Sequence, residues 1–299
     1  MIDLIWLGQP DAHDHALVGG KAANLSQLAA EYPVPPGFCL TTRAFETAHR
    51  AGAPGAQLSI ALLEQIERAY QSLATHAGEP NPRVAVRSSA VDEDGDADSF
   101  AGQHETYLNI SGVEAVIAAL QRCLESAHAP RALAYRRERG RSTERVRLAV
   151  LIQQQIVSDV SAVVFSANPL TGRCDEVVIN ASWGLGESIV GGSVTPDTYI
   201  VRRDDLAVAS RQIATKRRMT IAATNGSREV DVPRILHTQP SLSDSQAIEL
   251  AQLAAALEAR MGWPADLECA YHGGRLALLQ CRPITTLALE YPQRMRNVA

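Results

Sequence analysis

The tightest constraint on this chain lies near its end. Two runs of alternating character, Asp266-Leu-Glu-Cys-Ala-Tyr271 and Arg275 to Arg282, flank the pair Gly273-Gly274. A glycine pair between period-2 runs predicts a β-hairpin. Alternation then sorts the side chains: Leu267, Cys269 and Tyr271 point one way, Asp266, Glu268 and Ala270 the other. Register decides what joins them. A two-residue Gly-Gly turn alone places Glu268 opposite Leu279 and sends Gln280 to the wrong face. A three-residue loop, Gly273 to Arg275, sets Glu268 opposite Gln280 and Asp266 opposite Arg282. We expect that longer loop or an equivalent bulge, which gathers two carboxylates, an amide oxygen and a guanidinium on one face.

The rest of the chain reads as mixed helix and strand. Ala22, Leu25, Leu28 and Ala29 share one helical face over Lys21 to Tyr32, which Pro33, Pro35 and Pro36 end. Helices are expected over Leu58 to Leu73, over a stretch marked by Val113, Val116, Ile117, Leu120 and Leu124, and after Ser243. There Gln246 completes a capping box, Leu250, Leu253, Ala254, Leu257 and Met261 form the buried face, and Gly262 stops the helix. Strands are expected at Val84 to Arg87, Val146 to Gln153, Val160 to Phe165 and Glu176 to Ala181. Between them, Val91 to Ser99 is an acidic loop.

Composition narrows the function classes. A net charge of -5 argues against general nucleic-acid binding, which needs a basic footprint. One basic run, Arg136 to Arg145, reads as a solvated helix end. Five scattered cysteines without a Cys-x-x-Cys pair fit reduced thiols in a cytoplasmic protein. No apolar run approaches the roughly 20 residues needed to span a bilayer, and no secretory signal opens the chain.

Three segments carry chemistry. Gly19-Gly20-Lys21 leads into a helix, where backbone N–H groups can meet an anion and the lysine adds a movable charge. It lacks the spaced first glycine and the Ser/Thr of a Walker A loop, and a solvated lysine is the alternative. Arg87 ends an apolar strand and can aim its guanidinium at phosphate, with Ser88, Ser89 and Thr106 offering hydroxyls and Gly102 permitting close backbone approach. The alternative there is an arginine paired with the acidic loop. The hairpin set suits Mg²⁺ bridging phosphates, since Mg²⁺ takes hard oxygen ligands; the alternative is a buried ion pair.

In order, Gly19-Gly-Lys-Ala-Ala-Asn-Leu25, Val34-Pro-Pro-Gly-Phe-Cys-Leu-Thr-Thr42, Val86-Arg-Ser-Ser-Ala90, Ser99-Phe-Ala-Gly102, Gln153 before Ser158-Asp-Val-Ser161, Asn180-Ala-Ser-Trp-Gly-Leu-Gly-Glu187 and Gln280-Cys-Arg-Pro-Ile-Thr285 span nearly the whole chain. Together they resemble the nucleotide-binding domain shared by phosphoenolpyruvate synthase, pyruvate phosphate dikinase and rifampin phosphotransferase. The resemblance implies an α+β, two-lobed ATP-grasp fold with ATP between the lobes. The lobes would be residues 1–152 and 153–288, with a tail at 289–299. It implies that Lys21 and Arg87 hold phosphates, with Gly102 and Thr106 in the loop over them and Gln153 near the adenine. It further implies that Glu268 and Gln280 hold Mg²⁺ and that Asp266 and Arg282 stand beside the reacting phosphates. On this view Lys21, Arg87, Asp266 and Arg282 carry the catalysis, and Glu187 and Lys216 are further candidates to face the nucleotide.

Two departures qualify it. None of the eight histidines (His13, His15, His49, His76, His104, His128, His237, His272) has the Gly-Gly/Thr-Ser-His-like setting of the family's phosphate-accepting domain, and the acceptor-binding domain is also missing. We therefore expect an ATP-binding component whose phosphohistidine partner is supplied in trans or lost by truncation. An antibiotic-kinase module and a non-catalytic nucleotide-binding module are the rival expectations.

Overall fold

The computed structural model describes residues 3–49, 58–91, 105–138, 142–143, 146–224 and 226–287. The chain divides into two compact units, with the main break between Gln155 and Ile156.

The first unit runs β1 (Leu4–Trp6), α1 (His15–Leu28), β2 (Gly37–Leu40), α2 (Thr42–His49), α3 (Ile60–Ala77), β3 (Val84–Ala90), β4 (Thr106–Ile110), α4 (Val113–Ser126), α5 (Pro130–Glu138) and β5 (Leu148–Gln154). Its sheet has the order β1-β2-β5-β3-β4. The apolar positions of α2, α3 and α4 meet one sheet face: Phe45, Ile66, Leu73 and Leu120 pack with Phe38, Leu40, Val84, Val86, Val150 and Ile152. Burying side chains of this size stabilises by about 1.5–3 kcal/mol each. α1 packs on the opposite face, the one that carries Ser89, Arg87 and Ala85.

The second unit runs β6 (Val160–Phe165), β7 (Glu176–Trp183), α6 (Glu187–Val190), β8 (Asp197–Arg202), β9 (Val208–Gln212), β10 (Arg218–Ala222), β11 (Ser227–Asp231), α7 (Asp244–Met261), β12 (Ala265–His272) and β13 (Arg275–Pro283). Six antiparallel strands are ordered β13-β12-β6-β7-β8-β9, and β10 with β11 makes a separate ribbon. α7 opens on the expected capping box, with Ser243 and Gln246 each holding the other's backbone N–H, and closes at Gly262. Its buried face is Ala247, Leu250, Ala251, Ala254 and Leu257, whereas Leu253 and Met261 are half-buried.

Several boundaries differ from expectation. α1 starts six residues before Lys21, capped by Asp14, bends at Gly19 and stops at Leu28 rather than Tyr32, where the chain leaves through a turn closed by Tyr32 N–H on Leu28 O. β3 continues past Arg87 to Ala90 because Ser88, Ser89 and Ala90 keep pairing with β5. Strands β8 to β11 have no counterpart among the expected strands. Arg136 is not a solvated helix end: it is buried, and its Nε donates to Ser142 O at 2.9 Å.

Candidate functional site

In the first unit the expected basic groups gather on the α1 face. Gly19 adopts φ 73°, and a Cβ there would lie 2.2 Å from Ser89 O, so only glycine lets the helix come this close to β3. The approach brings Ala22 N–H to Ser89 Oγ at 3.3 Å and Lys21 Nζ to Ser88 O at 3.4 Å. Ser88 N–H and Oγ both donate to Glu105 O, at 3.1 and 3.3 Å, which aligns the start of β4 beside β3. Thr106 is thereby set directly across from Arg87, and cross-strand partners share a face. Lys21 and Arg87 are half-buried and Thr106 is exposed.

Gln153 lies on the same face but is buried, opposite Ala85 and Gly37. Its Nε2 donates to Pro35 O at 3.0 Å, which ties the proline segment to β5. Gly102, the acidic stretch 92–98 and His104 lie outside the described residues.

In the second unit the hairpin adopts the expected pairing by the bulge route. Glu268 faces Gln280 and Asp266 faces Arg282, while the turn keeps only two residues, with His272 opposite Arg275. Gly273 and Gly274 have φ 54° and 76°, as a tight hairpin turn of this hand requires. The register shifts between Glu268 and Cys269, so Leu279 is the extra residue of a β-bulge. The three-residue loop is thus replaced by a bulge that has the same effect on facing.

The opposite face belongs to α7: Leu267, Cys269 and Tyr271 are buried, and Tyr271 Oη lies 2.6 Å from Glu249 Oε2. On the other face, register continues the Glu268 row through Val163 to Asn180 and Thr198, and Thr198 Oγ1 donates to Asn180 Oδ1 at 2.9 Å. Arg282 grips one oxygen of Asp266, with Nε and Nη2 at 2.9 and 2.8 Å from Oδ2. Burial pushes the Asp266 carboxyl up, Arg282 pulls it back, and Glu268 adds an upward push.

Two further candidates fall elsewhere. Glu187 is exposed at the start of α6. Lys216 is fully buried, with Nζ 2.5 Å from Asp197 Oδ1. Asp197 pairs with Ala181, and through Ala162 with Cys269, so this ion pair lies on the α7 side of the sheet, away from Glu268. Asp197 also accepts from Ala214 N–H and from Ser241 N–H and Oγ, each at 2.8 Å. Sequence reading missed this hub and the Asn180–Thr198 extension of the row. The signal for both was alternation through Asn180 and through Asp197, Tyr199 and Val201.

The donor set fits a hard divalent cation. Glu268 supplies a carboxylate and Gln280 an amide oxygen directly opposite, both oxygen ligands of the kind Mg²⁺ takes alongside phosphates and water. Among the described residues no group of three or more His, Cys, Asp or Glu side chains could hold a metal by itself.

Residues 53–297 match the family model of the pyruvate phosphate dikinase AMP/ATP-binding domain. The chain is 37% identical to a probable phosphoenolpyruvate synthase of Methanocaldococcus jannaschii, covering 95% of this chain and 27% of that protein. It is 33% identical to phosphoenolpyruvate synthase of Pyrococcus furiosus, covering 95% and 44%. Against a rifampicin phosphotransferase of Streptomyces sviceus it is 35% identical, covering 94% and 36%. The chain thus spans less than half the length of these relatives. Among solved structures, the D-alanyl-alanine synthetase A of Vibrio cholerae aligns at 14% identity and a TM-score of 0.35, covering 92% of this chain and 61% of that one.

Proposed function

The chain belongs to the family of pyruvate phosphate dikinase AMP/ATP-binding domains, and from that premise we propose that it binds ATP with Mg²⁺ and passes a phosphoryl group to a histidine on a further domain or partner. The observation that carries this reading is the bulged hairpin, which puts Glu268, Gln280, Asp266 and Arg282 in one row. On this reading Glu268 and Gln280 hold Mg²⁺, which supplies charge neutralisation at the phosphate oxygens. Lys21, Arg87 and Arg282 neutralise the phosphates, Asp266 orients Arg282, Thr106 at the start of β4 and Gly102 contact them, and Gln153 stands near the base. Phosphoryl transfer asks for positioning and charge neutralisation more than for a covalent nucleophile. The histidine nitrogen gains the phosphorus–oxygen unit as its bond to the rest of the nucleotide breaks.

The α+β build of two units agrees with an ATP-grasp domain, and the length of the relatives supports an acceptor domain beyond this chain. The rifampicin phosphotransferase relatives support a second acceptor class, an antibiotic in place of a small carboxylate such as pyruvate, served by the same ATP chemistry. We place the protein in the cytoplasm. Four of the five cysteines are buried as thiols, and no described helix is long and apolar enough to cross a membrane.

Calorimetric titration with ATP and MgCl₂ tests the reading. Lys21→Ala in one unit and Glu268→Gln in the other should each weaken the same binding event at least about tenfold, the loss of one charge-assisted contact. Incubation with a phosphohistidine acceptor should add one phosphate to its intact mass, and whether AMP or ADP accumulates identifies the phosphate transferred. Binding that survives both substitutions leaves a non-catalytic module as the reading.

A further inference from the structure

The Glu268 row is unusual in its charge. Across β12, Asp266 and Glu268 pair with Phe165 and Val163 of β6, and beyond them stand Val178 and Asn180, all neutral. Asp266 and Glu268 are two residues apart on one strand face, a separation of about 7 Å. Left alone, two carboxylates at that spacing beside an amide oxygen are an attractive divalent-cation site. Arg282 changes this. It stands directly opposite Asp266 and places two N–H groups on a single carboxylate oxygen, at 2.9 and 2.8 Å. Asp266 is only 7% exposed, so its charge and that of Arg282 act on each other with little solvent screening. Glu268 has only uncharged Gln280 and Val163 across from it, and one carboxylate with one amide oxygen is too few ligands for a dedicated Mg²⁺ cage.

Resting on the proposed ATP·Mg reading, we infer that the Asp266–Arg282 pair keeps this face from taking a divalent cation by itself, so that metal is held only together with a polyphosphate. Asp266 is then a positioning residue for Arg282 and not a third metal ligand. Arg282 has two duties: it meets phosphate when nucleotide is bound, and it cancels a carboxylate when none is. The arrangement prevents a bare metal ion from occupying the row ahead of nucleotide.

The test follows protein-bound Mn²⁺ by water-proton relaxation enhancement as the full chain is added, without ATP and then with ATP against a protein-free Mn·ATP control. Wild type should take up no Mn²⁺ until ATP is present. Arg282→Met, which removes the cation and keeps the bulk, should gain nucleotide-free Mn²⁺ affinity by about tenfold or more, because it releases the second carboxylate. Adding Glu268→Gln to that variant should abolish the gain. Asp266→Asn should still take up Mn²⁺ at saturating ATP. The inference is overturned if wild type holds Mn²⁺ without nucleotide, if Arg282→Met folds and gains nothing, or if Asp266→Asn loses ATP-dependent Mn²⁺ as completely as Glu268→Gln. Should Arg282→Met fail to fold, the wild-type and Asp266→Asn measurements decide. Absence of any ATP binding by wild type sinks the ATP reading instead, and the nucleotide-free measurements still judge the charge argument.

Discussion

Gly19 shows how much one residue can decide. Its φ of 73° and the 2.2 Å that would separate an added Cβ from Ser89 O mean that the α1–β3 approach has room for hydrogen alone. That approach is what brings Lys21 to within 3.4 Å of Ser88 O, one residue from Arg87. Gly19→Ala should destabilise the protein by about 2–4 kcal/mol, since a left-handed alanine and a backbone overlap add together. Urea unfolding reads the loss. ATP affinity should fall as well, because Lys21 is displaced with the helix. An alanine variant of wild-type stability would remove the steric account of the close approach. Lys21 was legible in sequence as a basic group beside glycine and Arg87 as one on an apolar strand, although that strand runs on to Ala90. Burial of Lys216 against Asp197 was not, because pairing across β8 and the β9–β10 connection depends on contacts far apart in the chain.

At the level of elements, the β12–β13 hairpin holds the row of Glu268, Gln280, Asp266 and Arg282, and its bulge sets their facing. Leu279 is the extra residue that turns Gln280 and Arg282 toward Glu268 and Asp266. Deleting Leu279 should remove the bulge and leave an unbulged two-residue hairpin in which Gln280 still stands opposite Glu268. The expected outcome is retained ATP·Mg binding with far-ultraviolet circular dichroism close to wild type. Lost affinity in a folded deletion variant would mean that the bulge does more than set the facing of the row. Alternation on β12 was readable because Leu267, Cys269 and Tyr271 alternate with polar residues. Whether a loop or a bulge restored the facing was not readable, since both give one residue of shift and differ only in where it is absorbed. β8 to β11 escaped notice for a related reason. Asp197 is a buried carboxylate in the position where a period-2 pattern asks for an apolar side chain.

For the molecule as a whole, two units with separate sheets and cores place basic side chains in one and the carboxylate–amide row in the other. A ligand that binds only the folded state stabilises by about 2.7 kcal/mol at one hundred times its Kd. ATP with MgCl₂ should therefore raise the melting temperature by several degrees, whereas AMP, which lacks the phosphates that these rows would hold, should do much less. Lys21→Ala and Glu268→Gln should each remove most of the difference between ATP and AMP, and equal shifts from the two nucleotides would discount both rows. Sequence by itself determined the chemistry available: which side chains are cationic, which carry oxygen ligands, and how each alternates along its strand, because these follow from residue type and local periodicity. Tertiary structure decided how that facing is reached and which basic groups meet on the α1 face. Facing depends on register, on a one-residue bulge at Leu279 and on the room left by a missing Cβ at Gly19, and each of these is settled by the packing of segments that lie far apart along the chain.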